Sequence, residues 1–243
     1  MEVNSLSFLT VTYWNDFDLL DQQIKSMDQY FTTRSTHYIV LNDDIKHLDE
    51  LTTIVAQYKQ HNYRIIHCDE IYASYNYSSP SNQTGWVNQQ ALKLLAYTFI
   101  DTEFYCVLDS KNALISNMDK STFVKNGQPV MVHEHECNIN GEFSKYYTNA
   151  YAFLKVDQND ATLIQSLTPS VLKRKWVKEL LEHIKSKGLT LFNLIIDDNS
   201  LPYMVEFYLY SAWIEKHKLT DQIIWYPDSS WVDIERSKNL RRL

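Results

Sequence analysis

The chain has 243 residues, of which 44% are hydrophobic and 22% are charged, and its formal net charge is −7. This is the composition of a globular protein rather than a disordered one, and the acidic balance argues against a surface that binds duplex nucleic acid, because phosphate contacts require clustered Lys and Arg. With 4 glycines the chain contains neither GxGxxG nor GxxxxGK[ST], which excludes a glycine-rich phosphate loop.

The same inventory bears on cellular location. No run of residues approaches the ~20 apolar positions that a membrane-spanning helix needs, and residues 1–9 are too short and acidic for a signal peptide. The three cysteines, Cys68, Cys106 and Cys137, are widely spaced, and no Cys/His spacing indicates zinc. We therefore expect reduced thiols in a cytoplasmic protein without a transmembrane segment. The oligomeric state is left open.

The first half of the chain alternates between strand-like and helix-like segments. Strand patterns fall at residues 7–13, 37–41, 63–67 and 104–108, and helical patterns at 19–30, 46–61 and 86–98. A polar loop, residues 72–84, precedes the third helix and has the length of a binding segment. Strands that alternate with helices pair mostly in parallel and carry helices on both faces. The pattern predicts an α/β fold with a central mixed, mostly parallel sheet flanked by helices.

The second half is less regular. The pattern predicts short strands at residues 129–133 and 146–154 and a long final helix at 204–217. Thr168 and Pro169 are expected to open a helix over 171–187, since proline is tolerated in the first helical turn, and Gly188 is expected to end it. No repeat or interdomain linker is evident, so we expect one domain over residues 1–243.

Polar residues follow the strand at 104–108 without a gap: Asp109, Ser110, Lys111 and Asn112. In an open α/β sheet, ligands bind outside the carboxyl ends of the strands, where a rigid strand holds side chains in fixed positions. The alternative is a buried strand that ends in an ordinary Asp-Ser turn. Lys111 has two interpretations: its ammonium either faces a ligand or is a solvated loop cation.

The helix at 86–98 has two interpretations as well. Gln89, Gln90 and Lys93 recur at spacings of three and four, so Lys93 shares a face with either glutamine. That face either meets a ligand, with Trp86 available for stacking, or simply faces solvent. His133 and His135 alternate along a strand and could hold a metal ion, but no third ligand is identifiable. We therefore predict no metal site.

Four motifs together resemble a family of bacterial and phage glycosyltransferases with the GT-A fold, some linked to surface polysaccharide synthesis. The motifs are GWVNQQALKL at 85–94, LDSKN at 108–112, TPSVL at 168–172 and EFYLY at 206–210. The resemblance spans roughly half of the chain. It implies a GT-A-like, Rossmann-type sandwich, with a nucleotide-sugar-binding half at 1–112 and an acceptor-side half at 113–243.

The resemblance also implies an activity, the transfer of a sugar from a nucleotide-sugar donor to a hydroxyl of a glycan or another acceptor. Catalytic roles would fall to Asp109, Lys111 and Glu206, with Glu206 as the base of an inverting reaction. Its alternative role is to stabilise a helix N-terminus, and Glu134, Glu136, Asp197, Asp198 and a retaining mechanism stay open. Donor contacts would come from Thr12, Tyr13, Asp43, Trp86, Gln89, Gln90, Lys93 and Asn112.

GT-A enzymes generally carry Asp-x-Asp at this strand end to hold a divalent metal, and here Lys111 replaces the second acid. A lysine ammonium neutralises diphosphate charge directly, so we expect no required cofactor and weak or absent dependence on Mg²⁺ or Mn²⁺. Two rival hypotheses remain. One is another nucleotide-handling enzyme on a similar sheet, and the other is a nucleotide- or sugar-binding module that has lost catalysis together with that acid.

Overall fold

The computed structural model describes residues 5–75, 85–133, 141–157, 167–195, 204–227 and 234–236. The strands are β1 (Leu6–Thr12), β2 (Thr36–Leu41), β3 (Asn62–His67), β4 (Phe104–Leu108), β5 (Asn112–Leu114), β6 (Val124–Lys125), β7 (Gln128–His133), β8 (Ser170–Lys173), β9 (Ile224–Pro227) and β10 (Ile234–Arg236). The helices are α1 (Phe17–Tyr30), α2 (Leu48–Val55), α3 (Cys68–Ser74), α4 (Gly85–Leu95), α5 (Glu142–Leu154), α6 (Arg174–Ser186), α7 (Leu191–Ile195) and α8 (Glu206–Lys216). Across these ranges no helix is long and apolar enough to cross a membrane.

The central sheet has the strand order β3-β2-β1-β4-β8. Its first four strands run parallel: Thr10 of β1 pairs with Ile39 of β2 on one side and with Leu108 of β4 on the other. β8 adds an antiparallel edge, with Val171 opposite Cys106. The predicted α/β fold with a mixed, mostly parallel sheet is therefore confirmed, and so are the four predicted strands of the first half.

Helices cover both faces of this sheet, which explains why its inner strands β1 and β4 are buried along their whole length. On one face Phe8 and Cys106 pack in an apolar cluster that also contains Met27 of α1. On the opposite face Leu9 and Val107 belong to the largest apolar cluster, which includes residues of α3 to α8. Successive strand residues point to opposite faces, so each central strand serves both clusters.

The strand predicted at residues 146–154 is wrong, because this segment lies within helix α5. Its aromatic residues favour a strand, but Tyr147, Ala150, Tyr151 and Leu154 are all buried and recur at helical spacing. This stripe packs on α8, where the ring centroids of Tyr147 and Tyr208 are 5.9 Å apart. Tertiary packing has overridden the local propensity.

The helix expected to begin at Thr168 and Pro169 also needs correction. Residues 170–173 form strand β8, and α6 starts at Arg174. The edge of β4 explains the difference, because Leu172 pairs there with Tyr105 and satisfies backbone groups of both strands. The predicted end is confirmed: the helix stops before Gly188, which adopts a φ of 75° that favours glycine.

Two further predicted helices are present, one of them over a shorter range than expected. The helix expected at 46–61 is shorter and covers Leu48–Val55; beyond it, the N–H groups of Lys59 and Gln60 donate to Asp28 Oδ2 at 3.3 and 3.4 Å instead of to helical carbonyls. The helix expected at 204–217 is confirmed as α8, Glu206–Lys216. The predicted loop at 72–84 begins inside α3, which ends at Ser74, and most of it lies outside the described residues.

Candidate functional site

The carboxyl ends of β1 and β4 lie side by side where the sheet reverses its direction of growth. The chain proceeds from β1 to β2 and β3 on one side and then crosses to β4 on the other. Such a reversal leaves a crevice in which α/β proteins bind their ligands. A cavity of about 240 Å³ lies at this point, bounded by Thr12 and Tyr13 after β1 and by Asp109 and Lys111 after β4.

Helices α4 and α8 supply the opposite wall of this cavity. Trp86, Gln89, Gln90 and Lys93 reach it from successive turns of α4, and Glu206 is the first residue of α8. Gln90 is largely buried, and its side-chain amide donates to the backbone carbonyl of Trp86 at 3.1 Å. The cavity thus brings together four segments that are far apart in the sequence.

Lys93 is the centre of a buried ion network on the cavity floor. Its ammonium donates to Glu206 Oε1 at 3.0 Å and to Asp109 Oδ1 at 3.3 Å. The side chains of Lys93 and Glu206 are 5% and 2% exposed, whereas Asp109 is 28% exposed. Buried charges of this kind persist only when they are paired and hydrogen-bonded. One ammonium between two carboxylates leaves the network with a net negative charge.

The carboxylate of Asp109 is held on both oxygens. Lys93 binds Oδ1, Thr168 donates its hydroxyl proton to Oδ2 at 2.7 Å, and the Lys111 ammonium lies 3.9 Å from the same Oδ2. The backbone is fixed as well, because the Asp109 N–H donates to Asn112 Oδ1 at 2.7 Å and its carbonyl accepts from Gln23 at 2.6 Å. The acid at the strand end is therefore rigidly positioned.

Protonation differs between the two acids of the network. Burial alone raises the pKa of Asp109, but Lys93, Thr168 and Lys111 together lower it below its ordinary value. Burial raises the pKa of Glu206 above its ordinary value, and Lys93 opposes that shift only in part. Burial would lower the pKa of Lys93, but Glu206 and Asp109 outweigh it and raise that pKa. Asp109 is thus the firmly ionised acid, and Glu206 binds a proton more readily.

Two residues predicted for donor binding do not line the cavity. Asp43 instead accepts the backbone N–H groups of Trp14 at 3.0 Å and Asp44 at 2.7 Å. Asn112 is buried and caps the Asp109 turn. Lys93, also predicted as a donor contact, does line the cavity, and two carboxylates bind its ammonium there. Lys111, with 42% of its side chain exposed, is the lysine that faces the opening.

Several cavity residues were not identified from the sequence. Asp16, Asn42, Phe143, Thr168 and Tyr208 belong to the lining. Asn42 follows β2 directly and donates to the Gly85 carbonyl at 2.8 Å, so the rule that polar residues after strands face the crevice could have found it in place of Asp43. Thr168 lies in the TPSVL motif, but its bond to Asp109 spans 59 residues and has no local signal.

Aromatic side chains form the rim of the cavity. Tyr13, Trp86 and Phe143 are 36%, 40% and 52% exposed, although most large apolar residues in the described chain are buried. Tyr146 links two of them, because its ring centroid lies 6.1 Å from that of Trp86 and 6.1 Å from that of Phe143. Exposed apolar surface beside a polar pocket commonly marks a binding site.

The divalent metal that the GT-A pattern implies does not fit these residues. Both oxygens of Asp109 are occupied by Lys93 and Thr168, and the second acid of the pattern is Lys111. In the described residues, a His67–Cys68–Asp69 group has ligand atoms within 4.8 Å of one another, but it lies outside the cavity lining. His67 there caps α3 by accepting the Asp69 N–H at 3.3 Å, which is a structural role.

Some predicted residues lie outside what the structure describes. This group comprises the His133 side chain, His135, Cys137 and the reserve acids Glu134, Glu136, Asp197 and Asp198. The metal hypothesis for the two histidines and the alternative bases therefore stay predictions.

The fold and the cavity define an α/β protein with a polar cavity at the reversal point of its sheet. The chain belongs to DUF6492, a family of unknown function, whose model matches residues 5–236. No curated protein matches the chain.

Proposed function

We propose that this protein is a glycosyltransferase that moves a sugar from a nucleotide-sugar donor to a hydroxyl acceptor without a divalent metal. The observation that carries the proposal is the Lys93–Asp109–Glu206 network, with Lys111 beside it, in a cavity at the carboxyl ends of β1 and β4. A crevice at this position suits a nucleotide, and the residues there suit the chemistry of sugar transfer.

Lys111 is the group that we propose to neutralise the leaving diphosphate. Its ammonium lies 3.9 Å from Asp109 Oδ2, on a turn that Asn112 and Gln23 hold in place. Negative charge builds up on the diphosphate as the glycosidic bond breaks, and a cation fixed in advance stabilises that charge. With both Asp109 oxygens engaged, the lysine does this work in place of a metal ion.

Glu206 is the proposed base of an inverting reaction. Its carboxylate lines the cavity, and burial raises its pKa, which makes it a better proton acceptor than an exposed glutamate. The acceptor oxygen would attack the anomeric carbon and lose its proton to Glu206 while the bond to the diphosphate breaks. Lys93 keeps Glu206 ionised beforehand and fixes its orientation.

The remaining lining residues suit the two substrates. Thr12, Tyr13 and Asn42 stand at strand ends on the side of the nucleotide, and Gln89 offers an amide to sugar hydroxyls. Trp86 and Phe143 provide apolar faces at the mouth, which suits a glycan acceptor. We place the activity in the cytoplasm, in keeping with the free, buried thiols of Cys68 and Cys106.

The decisive test is nucleoside diphosphate release from a panel of nucleotide sugars, with and without acceptor and with and without EDTA. We expect turnover with a restricted set of donors, unaffected by EDTA and abolished in Glu206→Gln. Glu182→Gln, which alters an exposed acid on α6, is the matched control and should retain full activity.

Three other outcomes would each contradict part of the proposal. Loss of turnover in EDTA would refute the metal-free mechanism. Saturable donor binding without turnover would indicate a binding module instead. No binding to any donor would refute the proposal as a whole.

A further inference from the structure

A second cavity, of about 320 Å³, lies at the amino end of the central sheet, opposite the candidate site. It is formed by the segments that lead into the four parallel strands and by the loop around Lys120. Its polar lining consists of Ser5, Ser7, Thr33, Arg34, Ser35, Thr36, Asn62, Thr102 and Lys120. The nucleotide-sugar proposal makes no use of this cavity, here called the amino-end groove.

The charge of the amino-end groove is opposite to that of the chain. Arg34 and Lys120 both line it, and its lining contains no Asp or Glu among the described residues. The chain as a whole has a net charge of −7, so the described lining of the groove carries the opposite sign of charge. The side chains of Arg34 and Lys120 enter no salt bridge within the described ranges.

Three hydroxyl groups in the groove are engaged as acceptors. Ser5 Oγ accepts the Glu103 N–H at 2.9 Å, Thr33 Oγ1 accepts the Lys120 N–H at 3.3 Å, and Thr36 Oγ1 accepts from the Asn62 amide at 3.3 Å. A hydroxyl has one proton to donate in addition to its lone pairs. Because backbone and amide donors point at these oxygens, their own protons are available to a ligand that accepts hydrogen bonds.

Two more hydroxyl groups have no hydrogen-bond partner among the residues that the structure describes. Ser7 is fully buried, and its Oγ has no hydrogen-bond partner; the Oγ of Ser35 is buried and likewise unpartnered. Buried polar atoms in folded proteins almost always have a partner, so orphaned ones require an explanation. Both residues line the amino-end groove, beside the three hydroxyl groups whose protons are available to a ligand.

We propose that the amino-end groove binds a phosphate group carried by a small molecule. A tetrahedral oxyanion accepts many hydrogen bonds, and the groove offers hydroxyl donors together with a guanidinium and an ammonium. The cavity has room for more than inorganic phosphate, since small-molecule sites begin at ~300 Å³. The proposal is independent of the glycosyltransferase activity.

Isothermal titration in chloride buffer tests it with three probes: inorganic phosphate, glucose 6-phosphate and glucose. We expect saturable binding of the two phosphates, tighter for the sugar phosphate, and none of glucose. The Arg34→Gln/Lys120→Gln variant should raise the Kd at least about tenfold, because it removes two charge-assisted contacts. Thermal unfolding should show that the variant folds, since Arg34 is exposed and Lys120 partly so.

Two comparison variants locate the binding. Lys25→Gln/Lys185→Gln removes the same charge from exposed positions and should leave the Kd unchanged. Lys111→Gln removes the cation that faces the other cavity and should also leave it unchanged. The proposal is overturned if neither phosphate binds at millimolar concentration, if the groove variant binds as the wild type does, or if only Lys111→Gln loses binding.

Discussion

At the carboxyl end of the sheet the charged groups are buried and bonded to one another, whereas at the amino end the cations stand at the surface among hydroxyl groups. Counted over the whole residue, Lys93 and Glu206 are 4% and 2% exposed, whereas Arg34 is exposed to solvent. The buried network keeps its geometry without a ligand, because its charges satisfy each other. The amino-end groove has two cations and no carboxylate in its described lining, so we expect its charge to matter only when an anion binds.

The largest expected effect is that of Lys93→Met. It leaves the Glu206 and Asp109 carboxylates buried without their cation, which costs about 3–5 kcal/mol of unfolding free energy. At the other end, Lys120→Met should change stability by no more than about 0.5 kcal/mol, because its ammonium forms no salt bridge in the described part of the chain. Urea unfolding of both variants at pH 7 measures the difference.

A double variant checks the reason for that loss. Adding Glu206→Gln to Lys93→Met removes one of the two uncompensated carboxylates, so the double variant should be more stable than Lys93→Met. If Lys93→Met unfolds within about 1 kcal/mol of the wild type, the network does not depend on its ammonium in the way proposed.

Lys111→Gln should separate catalysis from stability. Its side chain is 42% exposed, so unfolding should hardly change, while kcat/KM for the donor should fall by about 10²-fold through lost stabilisation of the leaving diphosphate. Lys185→Gln, an exposed lysine on α6, is the control. Steady-state kinetics that match the wild type would contradict the role of Lys111.

His37 shows how a buried titratable group makes stability depend on pH when no acid lowers the cost of charging it. It is fully buried near the amino end of β2, its ring contacts Thr10 Oγ1 at 2.9 Å, and burial, with a smaller effect of His61, lowers its pKa to about 3. The unfolded chain takes up the proton near pH 6.5 and the folded chain does not. Stability should therefore be full above pH 6.5 and fall as the pH drops towards 3.

The expected loss from His37 is about 2 kcal/mol between pH 7 and pH 5. His37→Gln keeps a polar partner for Thr10 and should show a correspondingly smaller loss over that interval. Unfolding curves at the two pH values measure it. A variant as acid-sensitive as the wild type would show that His37 is not the cause.

Thr168→Val should have the smallest effect. It removes the 2.7 Å hydrogen bond to Asp109 Oδ2, and a bond to a charged group contributes about 1.5 kcal/mol. Thr53→Val removes an exposed bond to a backbone carbonyl and should cost no more than about 0.5 kcal/mol. Equal stabilities for the two variants would mean that Thr168 does not hold Asp109.

Local pattern was sufficient for much of the fold. The four parallel strands are short segments rich in β-branched and aromatic residues, and their alternation with helices favours parallel pairing. The strand prediction for residues 146–154 was wrong because their aromatic content favours a strand and their spacing favours a helix. Only the packing of α5 on α8 decides between the two. The predicted helix start in the TPSVL motif was wrong because residues 170–173 pair with β4 as an edge strand.

The candidate site could be predicted where it depends on strand ends. Asp109 and Lys111 follow β4 directly, and the cavity opens there. The pairing of Lys93 with Glu206 crosses 113 residues, so the sequence could suggest both side chains but not that one neutralises the other. That contact makes Lys93, which was predicted as a donor contact, the centre of a buried network.

Hydrogen–deuterium exchange with and without a nucleotide sugar tests the central claim most directly, because it locates the donor without requiring turnover. We expect the bound donor to slow exchange at the amides of Tyr13, Asp16 and Lys111, beside the carboxyl ends of β1 and β4, and to leave residues 33–36 unchanged. Protection that is absent from both strand ends, or confined to the amino end of the sheet, would contradict the account.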